Sequence, residues 1–199
     1  MREIVTFDRV SADGYFAAAD GNLNWTVPDP ELDREATAAM PSVDLMLFGR
    51  RTFDMFEGFW PSALGDDGTA EDPHLAGRRS PELRAMAEWL TRTEKLVFSR
   101  TRTRSDWANT RFAATIDREA IETLKRGPGG DIMIFGSGAV VTALTRLELV
   151  DEYRLVITPV LLGGGRSLLE GVPERPVTLA EARAFGTGNV LLRWRRRDA

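Results

Sequence analysis

Two stretches of this chain read almost alike: Asp44-Leu45-Met46-Leu47-Phe48-Gly49-Arg50 and Asp131-Ile132-Met133-Ile134-Phe135-Gly136-Ser137. In each, four large apolar residues follow one another without the alternation of a strand that has a wet face. Such strands must be covered on both sides. Each stops at a glycine and passes directly into a helical pattern. Lys95-Leu96-Val97-Phe98-Ser99-Arg100-Thr101 is a third apolar strand, ending in hydroxyls and a guanidinium. Strands covered twice and alternating with helices fit an α/β domain with a largely parallel sheet. In that arrangement the C-terminal strand ends line one edge, where ligands of open α/β sheets bind.

The remaining elements follow from local signals. Glu3 to Val10 reads as the first strand, followed by the loop Ser11-Ala12-Asp13-Gly14 and a turn at Asp20-Gly21-Asn22. A helix begins near Asp29-Pro30, with aspartate as N-cap and proline at the first helical position. Leu32, Ala36, Ala39 and Met40 fall on one of its faces, and Pro41 ends it. A second helix spans Arg51 to Phe56. Residues Pro61 to Pro81, dense in Gly, Pro, Asp and Arg, read as a long mobile surface loop. Further helices are expected over Glu82–Thr93, Asp117–Arg126 and Ser137–Leu147. The tail reads as β-rich, with strands over Asp151–Leu162, Val177–Phe185 and Asn189–Arg196. The last two are joined by a hairpin at Gly186-Thr187-Gly188. In Arg193-Trp194-Arg195-Arg196-Arg197 the alternation begun by Val190 and Leu192 marks a last strand rather than a nucleic-acid patch.

Composition removes whole classes of chemistry. Among 199 residues cysteine is absent, histidine occurs once, at His74, and only Lys95 and Lys125 of the 26 basic side chains are lysine. There is no disulfide framework, no thiolate nucleophile and no zinc site of the usual kind. No metal ligands are assigned. An enzyme of this composition draws its reactive group from a bound cofactor. The net charge of −4 argues against broad nucleic-acid binding. No apolar stretch approaches the ~20 residues that span a bilayer, and the N-terminus lacks a signal-peptide pattern, so a cytoplasmic location is expected.

The strand ends carry the chemistry. Helix N-termini after Gly49 and Gly136 offer free N–H groups to an anion. Gly136-Ser137-Gly138 lets the backbone approach a pyrophosphate, although the third glycine of the Rossmann fingerprint is missing. Arg50, Arg51 and Arg100, with Thr52, Ser99 and Thr101, supply forks and hydroxyls for a separate phosphate monoester. Two phosphate sites of different chemistry point to a dinucleotide with an extra phosphate, NADPH.

At these residues the sequence resembles the dihydrofolate reductase-like superfamily. Within it, the chain is similar to stand-alone proteins that match the C-terminal reductase domain of the bifunctional riboflavin-biosynthesis deaminase-reductase. The resemblance rests on Ser11-Ala12-Asp13-Gly14-Tyr15-Phe16-Ala17, Leu47-Phe48-Gly49-Arg50-Arg51-Thr52-Phe53, Val97-Phe98-Ser99-Arg100-Thr101 and Phe135-Gly136-Ser137-Gly138. It continues in Leu149 to Leu155 and in Pro159 to Arg166. It implies one dihydrofolate reductase-like domain, a mixed, mostly parallel central sheet flanked by helices. It also implies NADPH bound across the strand ends by Ala12, Gly14, Gly49, Arg50, Arg51, Thr52, Ser99, Arg100, Thr101, Gly136, Ser137, Gly138, Ala139 and Val140. An acid on the first helix would hold the substrate, and counting back from Gly49 favours Asp33. Trp25 and Phe53 are further substrate candidates, and Asp13, Asp33 or a bound water the proton donor. The chain lacks the length and the cysteines of a zinc deaminase domain, so only the reductase half is in question.

The expected activity is hydride transfer from NADPH to a small heterocyclic C=N or C=O substrate, in a homodimer formed through the C-terminal strands. The alternative is a dinucleotide- or ligand-binding protein without turnover.

Overall fold

Both faces of the central strands are covered, as their uninterrupted apolar sequence requires. The computed structural model describes residues 1–38, 40–64 and 81–197. Its strands are β1 (Ile4–Ser11), β2 (Tyr15–Ala17), β3 (Val43–Gly49), β4 (Glu94–Phe98), β5 (Thr110–Ala113), β6 (Asp131–Phe135), β7 (Glu152–Thr158), β8 (Arg166–Ser167), β9 (Val177–Ala184) and β10 (Val190–Arg196). Its helices are α1 (Pro30–Ala38), α2 (Arg50–Phe59), α3 (Pro81–Arg92), α4 (Arg118–Arg126) and α5 (Gly138–Arg146). Eight strands form one sheet in the order β5-β4-β3-β6-β1-β7-β10-β9. The six from β5 to β7 run parallel, β10 pairs antiparallel with β7, and β9 pairs antiparallel with β10. β2 and β8 form a separate two-stranded ladder.

The alternation within β3 and β6 divides the core. Leu45, Leu47, Ile132 and Ile134 pack with Ile121 of α4 and Val140, Val141 and Leu144 of α5. Met46, Phe48 and Met133 face the other way, against Phe53 of α2 and Trp89 and Leu90 of α3. Leu32 of α1 closes the same second face farther along, over Val156 and Leu191. Apart from the β4–β5 connection, which has no helix, each parallel crossover lays at least one helix on an apolar face, and the strand C-termini come out along one edge.

Several sequence expectations are corrected. The first strand extends to Ser11, and α2 opens at Arg50, immediately after β3. The run to Leu162 leaves the sheet after Thr158, where Pro159 cannot donate to a ladder. Strand β5 and the β2/β8 ladder went unread because they are short and half-exposed. Ala39 and His74 lie outside the described residues, as does most of the Pro61–Pro81 loop, which begins with a 3₁₀ turn at Ser62–Leu64. The tail hairpin forms at Gly186-Thr187-Gly188: Phe185 N–H meets the Asn189 carbonyl at 2.9 Å, and Gly188 takes φ +88°. Among the described residues no helix is long and apolar enough to cross a membrane.

Both lysines serve the fold. Lys95 is fully buried and donates to the carbonyls of Leu90 (2.6 Å) and Thr93 (2.7 Å) at the end of α3. Burial pushes its ammonium down to about 8. Lys125 ties the end of α4 to Asp151 and to the Leu149 carbonyl.

Two arginines of the last strand and one of β7 share a buried carboxylate. Glu152, 1% exposed, accepts from Arg154 (2.6 Å), Arg193 (3.0 and 3.2 Å) and Arg195 (3.1 Å). Burial alone would raise its carboxyl; the guanidiniums of Arg193 and Arg154 outweigh this and hold it at about 2. The folded value lies below the ordinary 4.5, so the stabilisation is complete above pH 4.5 and lost as the pH falls through about 2. That gap corresponds to about 3 kcal/mol. Glu152→Gln is expected to cost about 3 kcal/mol at neutral pH, because it leaves three guanidiniums without their shared charge. It should also flatten the acid limb of the stability curve, and urea unfolding at pH 7 and pH 3 reads both effects.

Candidate active site

Two helices begin side by side at the level strand ends. α2 follows Gly49 and α5 follows Ser137, and neither has a side-chain cap. Their first N–H groups are left for a ligand or solvent. The two starts are knotted together. The Gly49 N–H donates to Ser137 Oγ at 3.1 Å, and the Ser137 N–H donates to Thr52 Oγ1 at 3.1 Å. Gly136 and Ser137 both adopt left-handed backbone, φ +54° and +56°. For serine that conformation costs about 1–2 kcal/mol, and the bonds on both sides of the residue hold it there.

The approach to α5 is bare backbone. A Cβ on Gly138 would lie 2.5 Å from the Phe16 ring, so any side chain there would have to displace that ring. Val140 leaves the expected cofactor set. Its N–H is spent on the Ser137 carbonyl at 2.6 Å, and its side chain is buried in the core against Gly49. Gly138 and Ala139 keep theirs for the mouth of the helix.

The third strand end sits next to α2. Ser99 Oγ accepts from the N–H groups of Thr101 (3.2 Å) and Arg102 (2.8 Å). Arg50 reaches across to Thr101 Oγ1 at 3.2 Å while its Nε binds Asp54 at 3.1 Å. Arg51 and Arg100 are exposed and, among the described residues, have no ion-pair partner. Arg102 does the bracing. It binds Asp54 at 2.6 Å and Glu57 at 2.6 and 2.8 Å, and lies 5.0 Å from the centre of the Phe53 ring. Phe53 is therefore corrected from substrate contact to core: it is wholly buried among Phe48, Trp107 and Phe112.

The loop after β1 is held by Asp13. Its carboxylate accepts from Ser11 Oγ (2.6 Å) and from the N–H groups of Leu162 (3.1 Å) and Gly163 (2.7 Å). The Ser11 hydroxyl first, then those two amides, hold it below the usual carboxylate range. An ionised carboxylate with its lone pairs engaged is a loop strut and not an acid, which removes Asp13 from the proton-donor candidates. The Ala12 N–H is taken by the Val160 carbonyl at 2.8 Å. Gly14, at φ +92°, borders open space.

The opposite face of β1 holds the first-helix acid. Arg9 donates to Asp33 at 3.3 Å and to the Val27 carbonyl at 3.1 Å. Burial lowers the Arg9 pKa, while Asp33 and Asp29 oppose the shift. Asp29 caps α1 through the N–H groups of Glu31 (3.0 Å) and Leu32 (3.1 Å), and also accepts from Thr187. Glu31 and Glu35 of α1 both pair with Arg183 of β9. Trp25 is half-buried, with its indole N–H sealed in and without a hydrogen-bond partner. Sequence reasoning missed Arg9, Phe16, Arg102 and Asn189. Only Arg9 left a signal: with Asp8 it breaks an otherwise apolar strand. Among the described residues no three His, Cys, Asp or Glu side chains cluster as metal ligands.

With this geometry in place, the comparisons identify the lineage. Residues 2–191 match the model of the RibD C-terminal domain. The chain belongs to that family. It is 30% identical over 191 residues to the uncharacterized protein YyaP of Bacillus subtilis, covering 96% of this chain and 93% of that protein. It is 24% identical over 187 residues to the uncharacterized YwjB of the same organism, covering 93% of each. The fold matches a putative riboflavin biosynthesis protein from Shewanella over the full length of both chains (TM-score 0.71, 21% identity). It also matches a Thermotoga maritima diaminohydroxyphosphoribosylaminopyrimidine deaminase/5-amino-6-(5-phosphoribosylamino)uracil reductase (TM-score 0.66, 14% identity), covering 98% of this chain but 57% of that one. The family and these folds make the architecture reductase-like.

Asp13→Ala should speed exchange of the Leu162 and Gly163 amides by roughly tenfold or more while amides of β1 and β7 stay protected. Hydrogen exchange followed by mass spectrometry separates the two regions.

Proposed function

We propose that this chain is a reductase that takes hydride from NADPH and delivers it to a small heterocyclic C=N or C=O substrate. The observation that carries the reading is the knot of two uncapped helix starts, with a guanidinium-and-hydroxyl cluster one strand away. A pyrophosphate fits the first, since the bare backbone of Gly138 and Ala139 and the opening N–H groups of α2 converge there. A phosphate monoester fits the second, held by Arg50, Arg51 and Arg100 with Ser99 and Thr101. When bound, NADPH would supply the hydride. The protein's part is to fix the dinucleotide by its phosphates, to border the nicotinamide with Ser11–Gly14, and to exclude water. Holding the reacting atoms in contact contributes several kcal/mol, up to about 10. Asp33, oriented by Arg9, is the substrate contact, and the proton comes from Asp33 or from a bound water. The riboflavin-pathway reaction of the Thermotoga relative is one candidate chemistry.

A homodimer through the C-terminal strands belongs to the same proposal. β9 is an edge strand with Val177 and Leu179 exposed, so sedimentation should show a dimer, and Leu179→Lys should shift it toward monomer.

NADPH should raise the melting temperature more than NADH does. Loss of one charge-assisted contact is worth about 1.5–3 kcal/mol, roughly 10- to 100-fold in affinity. The double change Arg50→Ala/Arg100→Ala is therefore expected to erase the preference while leaving NADH binding intact. No stabilisation by either nucleotide would refute the reading; equal stabilisation would refute the monoester site.

A further inference from the structure

Beneath the segment that leads into α1, a half-buried guanidinium and a buried amide converge on a loop carbonyl. Val27 O accepts from Arg9 Nη1 at 3.1 Å and from Asn189 Nδ2 at 3.1 Å. Asn189 is fully buried, and its Oδ1 makes no hydrogen bond. One register step beyond the Ile157–Val190 pair lies Thr158, also fully buried, with its hydroxyl idle. Leaving a buried polar atom without a partner is unfavourable, and several together call for an explanation. Segment 18–29 has no regular secondary structure. Its Val27 carbonyl nevertheless receives the two donors best placed to hold something else.

The geometry points to Val27 O as a stand-in for a ligand carbonyl. Segment 22–28 is a strap that leaves when substrate enters, handing Arg9 and Asn189 to a substrate oxygen. This deepens the reductase reading and rests on it, since Arg9 lies two residues below Ser11, about 7 Å down the strand from the proposed nicotinamide border. The ligand chemistry follows from the neighbours. Arg9 also donates to Asp33 at 3.3 Å, and Asp29 stands close enough to act on its charge. One guanidinium between two carboxylates disfavours an anionic ligand. A neutral amide edge, with its oxygen toward Arg9 and Asn189 and its N–H toward Asp33, satisfies all three. The idle Asn189 Oδ1 and Thr158 hydroxyl remain to accept from a neighbouring N–H. Arg9 and Asn189 are thereby substrate-selecting residues, and the strap lowers apparent affinity by the fraction of time it stays closed.

The test uses the full chain saturated with NADPH. The probes are 2-pyridone and uracil as neutral amides and benzoate as the carboxylate control. Both amides should bind more tightly than benzoate. Asn189→Leu should weaken them at least tenfold, while Val27→Gly, which loosens the strap and keeps both donors, should tighten them severalfold. Bound probe should also speed amide exchange across 22–28, the reverse of the usual protection. If Asn189→Leu does not fold, Val27→Gly and the exchange readout decide. Amides that bind no better than benzoate, a Val27→Gly that fails to tighten, or a strap that becomes protected would overturn the proposal. Failure of NADPH to stabilise the wild-type chain would instead overturn the reductase reading beneath it.

Discussion

The arrangement at the strand ends depends on a pair of hydrogen bonds that Ser137 makes with the neighbouring crossover. Its hydroxyl takes the N–H of Gly49 and its own N–H goes to Thr52. Without them, α2 and α5 would be two separate helices that happen to start on adjacent strands. With them, the last residue of β3 and the first turn of α5 become one rigid body, and their free N–H groups keep a fixed spacing. The cost is a left-handed serine, which the surrounding bonds outweigh. Phe16 packs over Gly138 from outside, where the helix mouth presents bare backbone.

Side chains that look reactive in the sequence mostly hold this frame in place. Asp13 fastens the 162–163 loop, Asp29 caps α1 and receives Thr187, Asp151 receives Lys125, and Glu152 gathers three arginines. Each is a carboxylate whose lone pairs are engaged by donors from a distant part of the chain. The excess of arginine over lysine suits this use, because a planar fork can serve two carboxylates at once. Arg102 does so with Asp54 and Glu57, and Arg193 with Glu152 and Glu181. At the strand-end edge Arg51 and Arg100 carry no ion pair among the described residues, while Arg50 beside them and Arg9 on the face of β1 each keep one carboxylate, Asp54 and Asp33.

What could be read from the sequence was whatever local chemistry dictates. An uninterrupted apolar run followed by glycine specifies a doubly covered strand and the start of a helix within a few residues. Asp29-Pro30 and Gly186-Thr187-Gly188 likewise carry their geometry in their own composition. Phe53 and Val140 misled because proximity in sequence to a phosphate loop says nothing about which way a helix turns its side chains. Phe53 points inward from α2, and the Val140 N–H already closes the first turn of α5. Arg9 and Asn189 were beyond reach for another reason. They meet only because β1 and β10 flank β7, and nothing near either residue announces the other.

The two halves of the proposed site are therefore made of different material. The phosphate side is backbone and a few hydroxyls, positioned by the sheet itself. Its requirements reduce to glycine where a Cβ would displace the Phe16 ring and to a serine able to bond both ways. The other side is made of side chains on β1, on α1 and just before β10, beneath a segment without regular secondary structure. A substitution at Arg9, Asp33 or Asn189 alters what can be held without disturbing the knot at Gly49 and Ser137. On physical grounds such a fold can keep one cofactor geometry while its substrate preference changes residue by residue, so the chemistry of this chain is to be sought on the strap side of β1.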